Sequence, residues 1–574
     1  PTTRDITVNL EAGVTDAEDV VAVINALPDF SSALLSGNDG TGTFTLTEDF
    51  SLASTLTVRP FDPARNLGVG GPIFDLGLET ERLNLRDQEI EAIASGFAEV
   101  VFGERDGGTG TIQVGDVGPN IRGNQFNPNP SIENPTSLVG GTILVGYADI
   151  SLQAGGYDAR VNINAAADFF RLQGLDDTGN SAVNGDVTLY APINNYVSER
   201  NAWFRVEADG DITVNRPVDT TDRISLTAGY GDGDGSVIVN GNAPDADEPK
   251  DAVLRTSASA SKDTDATLER IEISAGESSG DLTFNGLADG STTLSADPAD
   301  ANSAITLWAE GGSITQTNGK ITSELLSVEA SGNVSLDRTE VATLGEGLFG
   351  ADARPNTDAD KTILGIEVDG AGHLTLTEVN DLTIDRINTN GGAVSVTTEE
   401  GNDGTLTLNT ITDENNDSID ANEDSGTVTG GAITLDADGG IRDGRDDITN
   451  LTTEGLATLK ANDGVGEVTA EFSSDVGDID TNIGSLAGHV YETGDFLLQE
   501  DDDLILADAG SGDDLTTAGD SGNLSIETID GDLTLMGSVD STATNGNLVF
   551  VVPAGSTSDH GIAVNNSVTS AHGS

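Results

Sequence analysis

The sequence predicts an all-β protein whose short strands stack as a right-handed parallel β-helix (β-solenoid), preceded by a small N-terminal α+β module. Composition is the first observation behind this prediction: glycine accounts for 71 of 574 residues, and aromatic residues make up only 4%. A hydrophobic fraction of 36% is thin for a thick globular core but sufficient for a narrow tube of stacked Val, Ile and Leu. The second observation is that these residues alternate with Thr, Ser and Asp in short β-branched runs.

Residues 1–57 form the first predicted region, the α+β module. A strand precedes a helix that Asp16 caps and that ends near Ala26, and two short strands follow around Ser32 to Leu35 and Thr43 to Leu46. This segment resembles the insert motif of flagellins and hook-associated proteins. The resemblance implies the fold of the module and not a flagellar function.

Residues 58–140 form a transition module. The segment LRDQEIEAIASGF predicts a second short helix, because Ile90, Ile93 and Phe97 follow helical spacing. A Pro/Asn-rich linker, GPNIRGNQFNPNPSIENPTS, then precedes strands that resume at Thr142. The order of helix, glycine-rich turn and strands resembles modules of filamentous-haemagglutinin-like surface proteins.

Residues 141–574 carry the third observation, a degenerate pentapeptide Gly-x-[Ile/Leu/Val]-[Thr/Ser]-[Leu/Val/Phe]. Several successive copies are separated by about one solenoid coil, with intervals of 20 residues from 312 to 332 and from 372 to 392. We expect each pentapeptide to form a short strand whose alternate side chains point inward, and Gly or Asn to supply the positive-φ bend that turns the chain toward the next face. The pentapeptides begin at Gly210, Gly280, Gly312, Gly332, Gly372, Gly392, Gly404, Gly431, Gly494, Gly522, Gly531 and Gly546.

Two longer segments extend the resemblance over most of the chain. The segment GSITQTNGKITSELLSVEASGNVSL from Gly312, and the one that begins at Asp463, resemble coil units of filamentous-haemagglutinin-like proteins. Those proteins are passengers of two-partner secretion and autotransporter systems, so the resemblance implies a β-solenoid and export. The alternative fold is a series of tandem β-sandwich domains, which also consist of short alternating strands. Sandwiches usually carry a core tryptophan in each domain, and this chain has only Trp203 and Trp308.

The charge balance restricts the partners. The chain has 98 acidic and 25 basic residues, for a net charge of −73, so nucleic acid and anionic membranes should be repelled. No apolar run approaches the length of a membrane span, so we expect no membrane insertion. Cysteine is absent, which excludes disulfides and thiol chemistry. We expect a secreted or cell-surface protein.

The sequence offers no catalytic constellation, and we predict that the protein is not an enzyme. Its four histidines are scattered along the chain: His373, His489, His560 and His572. Trp203 with Phe204, or Tyr190 with Tyr196, could present an aromatic platform for sugars, but filling of the core near a coil corner explains them better. A carbohydrate-binding or carbohydrate-cleaving β-helix protein remains the alternative.

Calcium is the one ligand that the motifs suggest, and we expect it to be optional, with no essential cofactor. The loop DENNDSIDANED opens with a D-x-N-x-D pattern, which places Asp413, Asn415 and Asp417, with Asp420 downstream, around a hard cation. Asp232 and Asp234 lie in a shorter acidic loop of the same kind. The alternative is that both are solvated acidic loops without metal.

Together these observations predict an extracellular structural or adhesive protein of a microbial cell surface, a rod or fibre subunit that self-associates through its ends. Its expected partners are other copies, in filaments or a surface layer, and a glycan or a host or neighbouring cell surface. A third candidate is an acidic ion-binding envelope or matrix protein.

Overall fold

The structure of the chain is a computed structural model. It forms two compact units, here called the first unit (Pro1–Ser303, Thr317–Gly319 and Gly350–Ala359) and the second unit (Ala304–Gln316, Lys320–Phe349 and Asp360–Ser574). The structure describes residues 6–10, 32–34, 44–46, 55–60, 62, 64–69, 82–85, 93, 99–103, 110–114, 136–140, 142–145, 163–164, 169–174, 186–189, 193–195, 203–220, 223–229, 234–241, 252–256, 270–276, 279–286, 292–296, 303–349, 361–369, 372–408, 419–420, 430–444, 449–466, 477–507, 515–518, 522–541, 546–552 and 560–570.

Strands of the first unit are short, with two to six residues each. They are β1 Ile6–Leu10, β2 Ser32–Leu34, β3 Phe44–Leu46, β4 Thr55–Pro60, β5 Asn66–Val69, β6 Arg82–Leu85, β7 Glu99–Gly103, β8 Thr111–Val114, β9 Thr136–Gly140, β10 Thr142–Val145, β11 Ile163–Asn164, β12 Phe169–Gly174, β13 Val187–Leu189, β14 Ile193–Asn195, β15 Trp203–Ala208, β16 Ile212–Val214, β17 Val218–Thr220, β18 Arg223–Ala228, β19 Val237–Asn240, β20 Leu254–Thr256, β21 Arg270–Ala275, β22 Leu282–Asn285 and β23 Thr292–Ser295.

Strands of the second unit include four long ones, β26, β27, β39 and β40. The set is β24 Ala304–Ala309, β25 Ile314–Thr317, β26 Lys320–Ala330, β27 Val334–Leu344, β28 Glu346–Phe349, β29 Lys361–Leu364, β30 Ile366–Val368, β31 Leu374–Glu378, β32 Leu382–Ile384, β33 Ile387–Asn388, β34 Val394–Thr398, β35 Leu406–Leu408, β36 Ile419–Asp420, β37 Ile433–Ala437, β38 Ile441–Asp443, β39 Leu451–Ala461, β40 Ile479–Val490, β41 Phe496–Glu500, β42 Leu504–Leu506, β43 Leu515–Thr517, β44 Leu524–Thr528, β45 Leu533–Leu535, β46 Val539–Ser541, β47 Leu548–Val551, β48 Ile562–Val564 and β49 Val568–Ser570.

Most strands of the first unit pair in parallel with the third strand along the chain; among the exceptions are β5 with β6, β7 with β9 and β8 with β10. From β12 to β23 this rule produces three ladders, β12–β15–β18–β21, β13–β16–β19–β22 and β14–β17–β20–β23. Three consecutive strands therefore make one coil, and the next coil stacks on it in register. Such a closed repeat has unpaired strand edges only at its ends.

The second unit follows the same rule between its long strands and at its C-terminal end. There, β41–β44–β47, β42–β45–β48 and β43–β46–β49 form three parallel ladders. Long strands such as β27 pair with two successive strands of the following coil, β31 and β32. A long strand such as β27 thus continues without a break where the following coil is interrupted between β31 and β32.

The prediction of an all-β protein with large parallel sheets, compatible with a β-solenoid, is confirmed. No helix occurs among the described residues, and antiparallel pairing there is limited to β2 with β3 and β28 with β29. Parallel ladders are not the antiparallel sheets of β-sandwich domains, so the tandem-sandwich alternative does not fit the described strands.

The core lies inside the coils, and burial alternates along many of the short strands. In β16, Ile212 and Val214 are fully buried, whereas Thr213 between them is partly exposed. Both inward residues stack on Val187 and Leu189 of the preceding coil and on Val237 and Val239 of the following one. Period-two patterning of this kind places one face of each strand in the tube and the other in water.

Positive-φ bends at Gly or Asn occur between strands, for example at Asn390 and Gly391, but the first glycine of the pentapeptide seldom supplies one. Of the twelve glycines at this position, all described, Gly494 alone has a positive φ, of 100°. The requirement is instead steric, because a Cβ on Gly392 would overlap the carbonyl oxygen of Gly372, and one on Gly431 would overlap that of Gly392. Glycine stacks on glycine, and the coils approach too closely there for a side chain.

At several corners, the residue after the glycine forms a side-chain ladder between coils. Asp186 accepts a hydrogen bond from the backbone N–H of Asp211 (2.9 Å), and Asp211 accepts one from the N–H of Ser236 (2.8 Å). Asp, Asn and Ser suit this position because a short side chain with an oxygen satisfies a backbone donor that the turn leaves unpaired. Part of the acidic composition is therefore structural.

The N-terminal predictions are tested only in part. Strands β2 and β3 pair antiparallel where two short strands were expected, and β1 pairs in parallel with β4. The helix predicted from Asp16 to Ala26 and nearly all of the LRDQEIEAIASGF segment lie outside the described residues. The α+β module and the region boundaries at 57 and 140 stay predictions.

Candidate functional site

The residues predicted to hold calcium are placed only in part. Four of them lie outside the described residues: Asp232, Asp413, Asn415 and Asp417. Asp420 ends β36 and pairs in register with Thr452, and Asp234 is exposed shortly before β19. Within the described ranges, no three His, Asp or Glu side chains form a group that could hold a metal ion. The calcium site stays a prediction.

A shielded ion-pair cluster lies on the outward side of three adjacent strands of the first unit. Arg205 pairs with Glu207 within β15, and Arg223 of β18 pairs with Glu272 of β21. Burial raises the pKa of Glu272, against the opposing charge of Arg223. Both glutamates are completely buried and face arginines, so the cluster satisfies its own charges. This arrangement fits a structural role better than a catalytic one.

The aromatic platforms considered from the sequence do not form a described surface. Phe204 is completely buried and stacks on Ile224, so it fills the core as expected. The side chain of Trp203, and both Tyr190 and Tyr196, lie outside what the structure describes.

The open C-terminal coil, defined here as β47, β48 and β49, is the most distinctive surface of the described chain. Its inward apolar side chains are exposed: Ile562 by 44%, Val564 by 55% and Val568 by 42%. The residues that occupy the same positions one coil earlier, Leu533, Leu535 and Val539, are completely buried. Stacking of one coil is thus what removes such side chains from water.

The backbone of this coil is open as well. Each of its three strands pairs with the preceding coil on one side, and no other described strand lies on the opposite side. Asn547 continues the side-chain ladder, since its N–H donates to Asn523 (3.0 Å). The Asn547 side chain itself has no hydrogen-bond partner among the described residues, so it is free to accept the next N–H.

The flank of the open coil is also apolar. Val549 and Val551 point outward from β47 and are 41% and 37% exposed. In the preceding coil the same two positions hold Ser525 and Glu527. The sequence signal was the uninterrupted run LVFVV, which breaks the usual alternation with polar residues. Sequence analysis counted GNLVF, which begins at Gly546, among the pentapeptides and did not predict the exposure of Val549 and Val551.

Histidine occupies two coil corners without forming a reactive cluster. His373 is exposed in the position after Gly372, and its Nδ1 accepts a hydrogen bond from the Ala393 N–H (2.9 Å). His560 stands at the open coil, with Nε2 3.3 Å from Asp530 Oδ1 and Nδ1 3.9 Å from Asp532 Oδ1. Each of these histidines thus contacts a residue of an adjacent coil, as other side chains at the corners do.

Comparisons of the chain with protein-family models, curated proteins and solved structures found no match. No helix among the described residues is long and apolar enough to span a membrane.

Proposed function

We propose that the chain is an extracellular structural and adhesive protein of a microbial cell surface, a rod or fibre subunit that self-associates through its ends. The observation that carries this proposal is the set of parallel ladders, in which each coil buries its inward side chains only when the next coil stacks on it. At β47, β48 and β49, where no other described strand lies on the far side, the inward side chains are at least partly exposed, and a further coil or a second copy would cover them.

The energetics favour the addition of another coil. Complete burial of a Val or Ile side chain is worth about 1.5–3 kcal/mol, and the open coil offers three such inward side chains that are now over 40% exposed. Strand edges add backbone hydrogen bonds with defined register, as in other cases of β-strand addition. A second copy that presents short strands with the same alternation would match this surface.

The wider proposal rests on the pattern of the sequence. We take the coils to be right-handed, because parallel strands joined by crossovers almost always wind that way. The resemblance to filamentous-haemagglutinin-like passengers supports export to the cell surface and contact with a glycan or a neighbouring cell. The acidic loop at Asp413, Asn415 and Asp417 would bind calcium there as an optional, stabilising ligand.

The test compares two adjacent exposed residues of β48. Val564 points into the interior of the coil, where the next coil would cover it, whereas Ala563 points outward, and both are exposed. Val564→Lys should weaken self-association at least about tenfold, since it removes an apolar contact and places a charge against the incoming coil. Ala563→Lys, the matched control, should associate like the wild type.

Sedimentation velocity over a concentration series gives the association constant, and electron microscopy of the same samples shows whether fibres form. A wild-type chain that stays monomeric at every concentration would contradict the proposal. Equal weakening by both lysines would instead place the contact on the flank of the coil.

A further inference from the structure

Two corners of the second unit are built around a completely buried glutamate. Glu378 ends β31 and Glu500 ends β41, and neither side chain is exposed to solvent. Each glutamate pairs in register with a threonine of a long strand, Glu378 with Thr339 of β27 and Glu500 with Thr481 of β40. The two corners therefore repeat one arrangement.

The glutamate accepts a backbone hydrogen bond at the point where the corner interrupts the parallel ladder. Beyond Glu378 the chain turns from β31 to β32 while β27 runs on, so the backbone N–H of Val341 faces the turn. That N–H donates to the Glu378 carboxyl group at 3.2 and 3.3 Å. At the second corner, the N–H of Ile483 reaches the Glu500 carboxyl group at 3.1 and 3.2 Å.

The threonine hydroxyl at each corner lies within hydrogen-bond distance of two acceptor oxygens. Thr339 Oγ1 is 2.6 Å from Glu378 Oε2 and 3.1 Å from the Thr377 carbonyl oxygen. Both of these oxygens can accept a hydrogen bond, but a hydroxyl group has a single proton to donate. If the hydroxyl donates to the carbonyl, the short contact to the carboxyl group needs a proton on Glu378. Thr481 repeats the geometry, 2.7 Å from Glu500 Oε2 and 3.0 Å from the Gln499 carbonyl oxygen.

We propose that Glu378 and Glu500 are uncharged at mildly acidic pH, well above the range in which glutamates usually ionise, and that each carboxyl group then donates a hydrogen bond to the threonine hydroxyl of the neighbouring coil. The threonine hydroxyl donates its own hydrogen bond to a backbone carbonyl oxygen, and the second carboxyl oxygen accepts hydrogen bonds from backbone N–H groups. The two corners therefore stabilise the stacking of the coils when the carboxyl groups are protonated, and this stabilisation is lost when the carboxyl groups ionise.

Charged groups around Glu378 are balanced. On β27, Glu340 pairs with Lys320, and beyond β34, Glu399 pairs with Arg338. The carboxyl group itself is surrounded by neutral donors, including the N–H of Val379 at 2.9 Å. Burial raises the pKa of Glu378 to about 7, although its hydrogen bonds favour the charged form.

Charged groups around Glu500 are all carboxylates in the described residues of its own corner and of the two strands packed against β41. Asp501 and Asp502 follow it directly, Asp480 lies on β40, and Glu527 lies on β44. Burial raises the pKa of Glu500 to about 8, and the negative charge of Asp501 adds to the rise. Glu500 should therefore release its proton after Glu378.

The sign of the pH dependence follows from these directions. A glutamate in the unfolded chain has its ordinary pKa of 4.5, so the unfolded chain loses these two protons before the folded chain does. The stabilisation is complete below about pH 4.5 and is lost as the pH rises to about 7 and about 8. In that window each glutamate changes the unfolding equilibrium constant by up to about tenfold per pH unit.

The experiment replaces both glutamates with their neutral isostere. Glutamine presents an N–H₂ donor where the protonated acid has its O–H and keeps the other oxygen as acceptor. The double variant Glu378→Gln, Glu500→Gln should fold, and its urea-unfolding midpoint should lose most of the wild-type dependence on pH between about 5 and 8. Glu527→Gln, which removes one carboxylate near Glu500 without touching Thr481, should keep that dependence.

Infrared spectroscopy of the wild type offers a readout that needs no variant. The carbonyl band of protonated carboxyl groups should disappear in two steps as the pH rises through about 7 and about 8. A double variant that keeps the wild-type pH dependence would overturn the proposal. So would a spectrum without carboxyl groups that titrate in this range.

Discussion

At the scale of the residue, the spacing between coils decides which side chains are tolerated. Adjacent strands of a sheet lie about 4.7–4.9 Å apart, and the corner before each pentapeptide brings two backbones together at that spacing. At Gly392 the nearest group is the carbonyl oxygen of Gly372, directly beneath it. The glycine is there because its neighbour in the stack leaves no room for a Cβ.

Gly392→Ala should therefore destabilise the protein by about 1–3 kcal/mol, the usual cost of forcing extra atoms into a packed region. Gly561→Ala provides the control, since a Cβ at Gly561 would meet no atom within 4 Å and should change stability by less than about 0.5 kcal/mol. Urea unfolding of both variants measures the difference. Equal stability of the two would show that the coils can move apart at little cost.

At the scale of the element, each corner is held by a ladder of side-chain oxygens as well as by stacked strands. Asp211 takes part twice, since its N–H donates to Asp186 and its Oδ1 accepts from Ser236. Both bonds need only oxygen and N–H groups that an amide side chain leaves in place, although a charged acceptor makes the stronger bond. In a chain with a net charge of −73, an uncharged acceptor should even relieve repulsion.

Asp211→Asn should accordingly match or exceed the wild-type stability, whereas Asp211→Ala should lose about 0.5–1.5 kcal/mol, the net worth of one such hydrogen bond. Thermal unfolding of the two variants checks this order at fixed pH and salt. An Asn variant as unstable as the Ala variant would mean that the carboxylate charge itself holds the corner.

Strands were predictable from the sequence because their inward and outward positions alternate locally, as in Ile212, Thr213 and Val214. Two features were not predictable. The pattern [Ile/Leu/Val]-x-[Ile/Leu/Val] is the same in β45, which is buried, and in β48, which is exposed, since stacking rather than local sequence decides exposure. Glu378 contacts Val341 only after two coils stack, so no local sequence pattern distinguishes this buried glutamate from the exposed acidic residues.

At the scale of the whole molecule, electrostatic repulsion between carboxylates adds to the conformational entropy that opposes folding, and it opposes assembly as well. The chain carries 98 acidic residues against 25 basic ones. Burial raises the pKa of Asp219, Asp436 and Asp501 as well as that of the corner glutamates. All of these pKa values are raised, so protonation at mildly acidic pH should stabilise the fold. Added ions should also stabilise it, because they screen the repulsion between the remaining charges.

Salt should therefore raise both the melting temperature and the association constant. Added sodium chloride shortens the screening length to about 8 Å near physiological ionic strength, which weakens repulsion between carboxylates on neighbouring coils and on neighbouring copies. Differential scanning calorimetry and sedimentation over a salt series measure the two effects.

Calcium chloride at equal ionic strength separates screening from binding: an additional rise in the melting temperature that Asp417→Ala abolishes would locate an ion in the acidic loop. Equal curves for both salts would leave screening as the whole effect, and a melting temperature insensitive to either salt would contradict the electrostatic account.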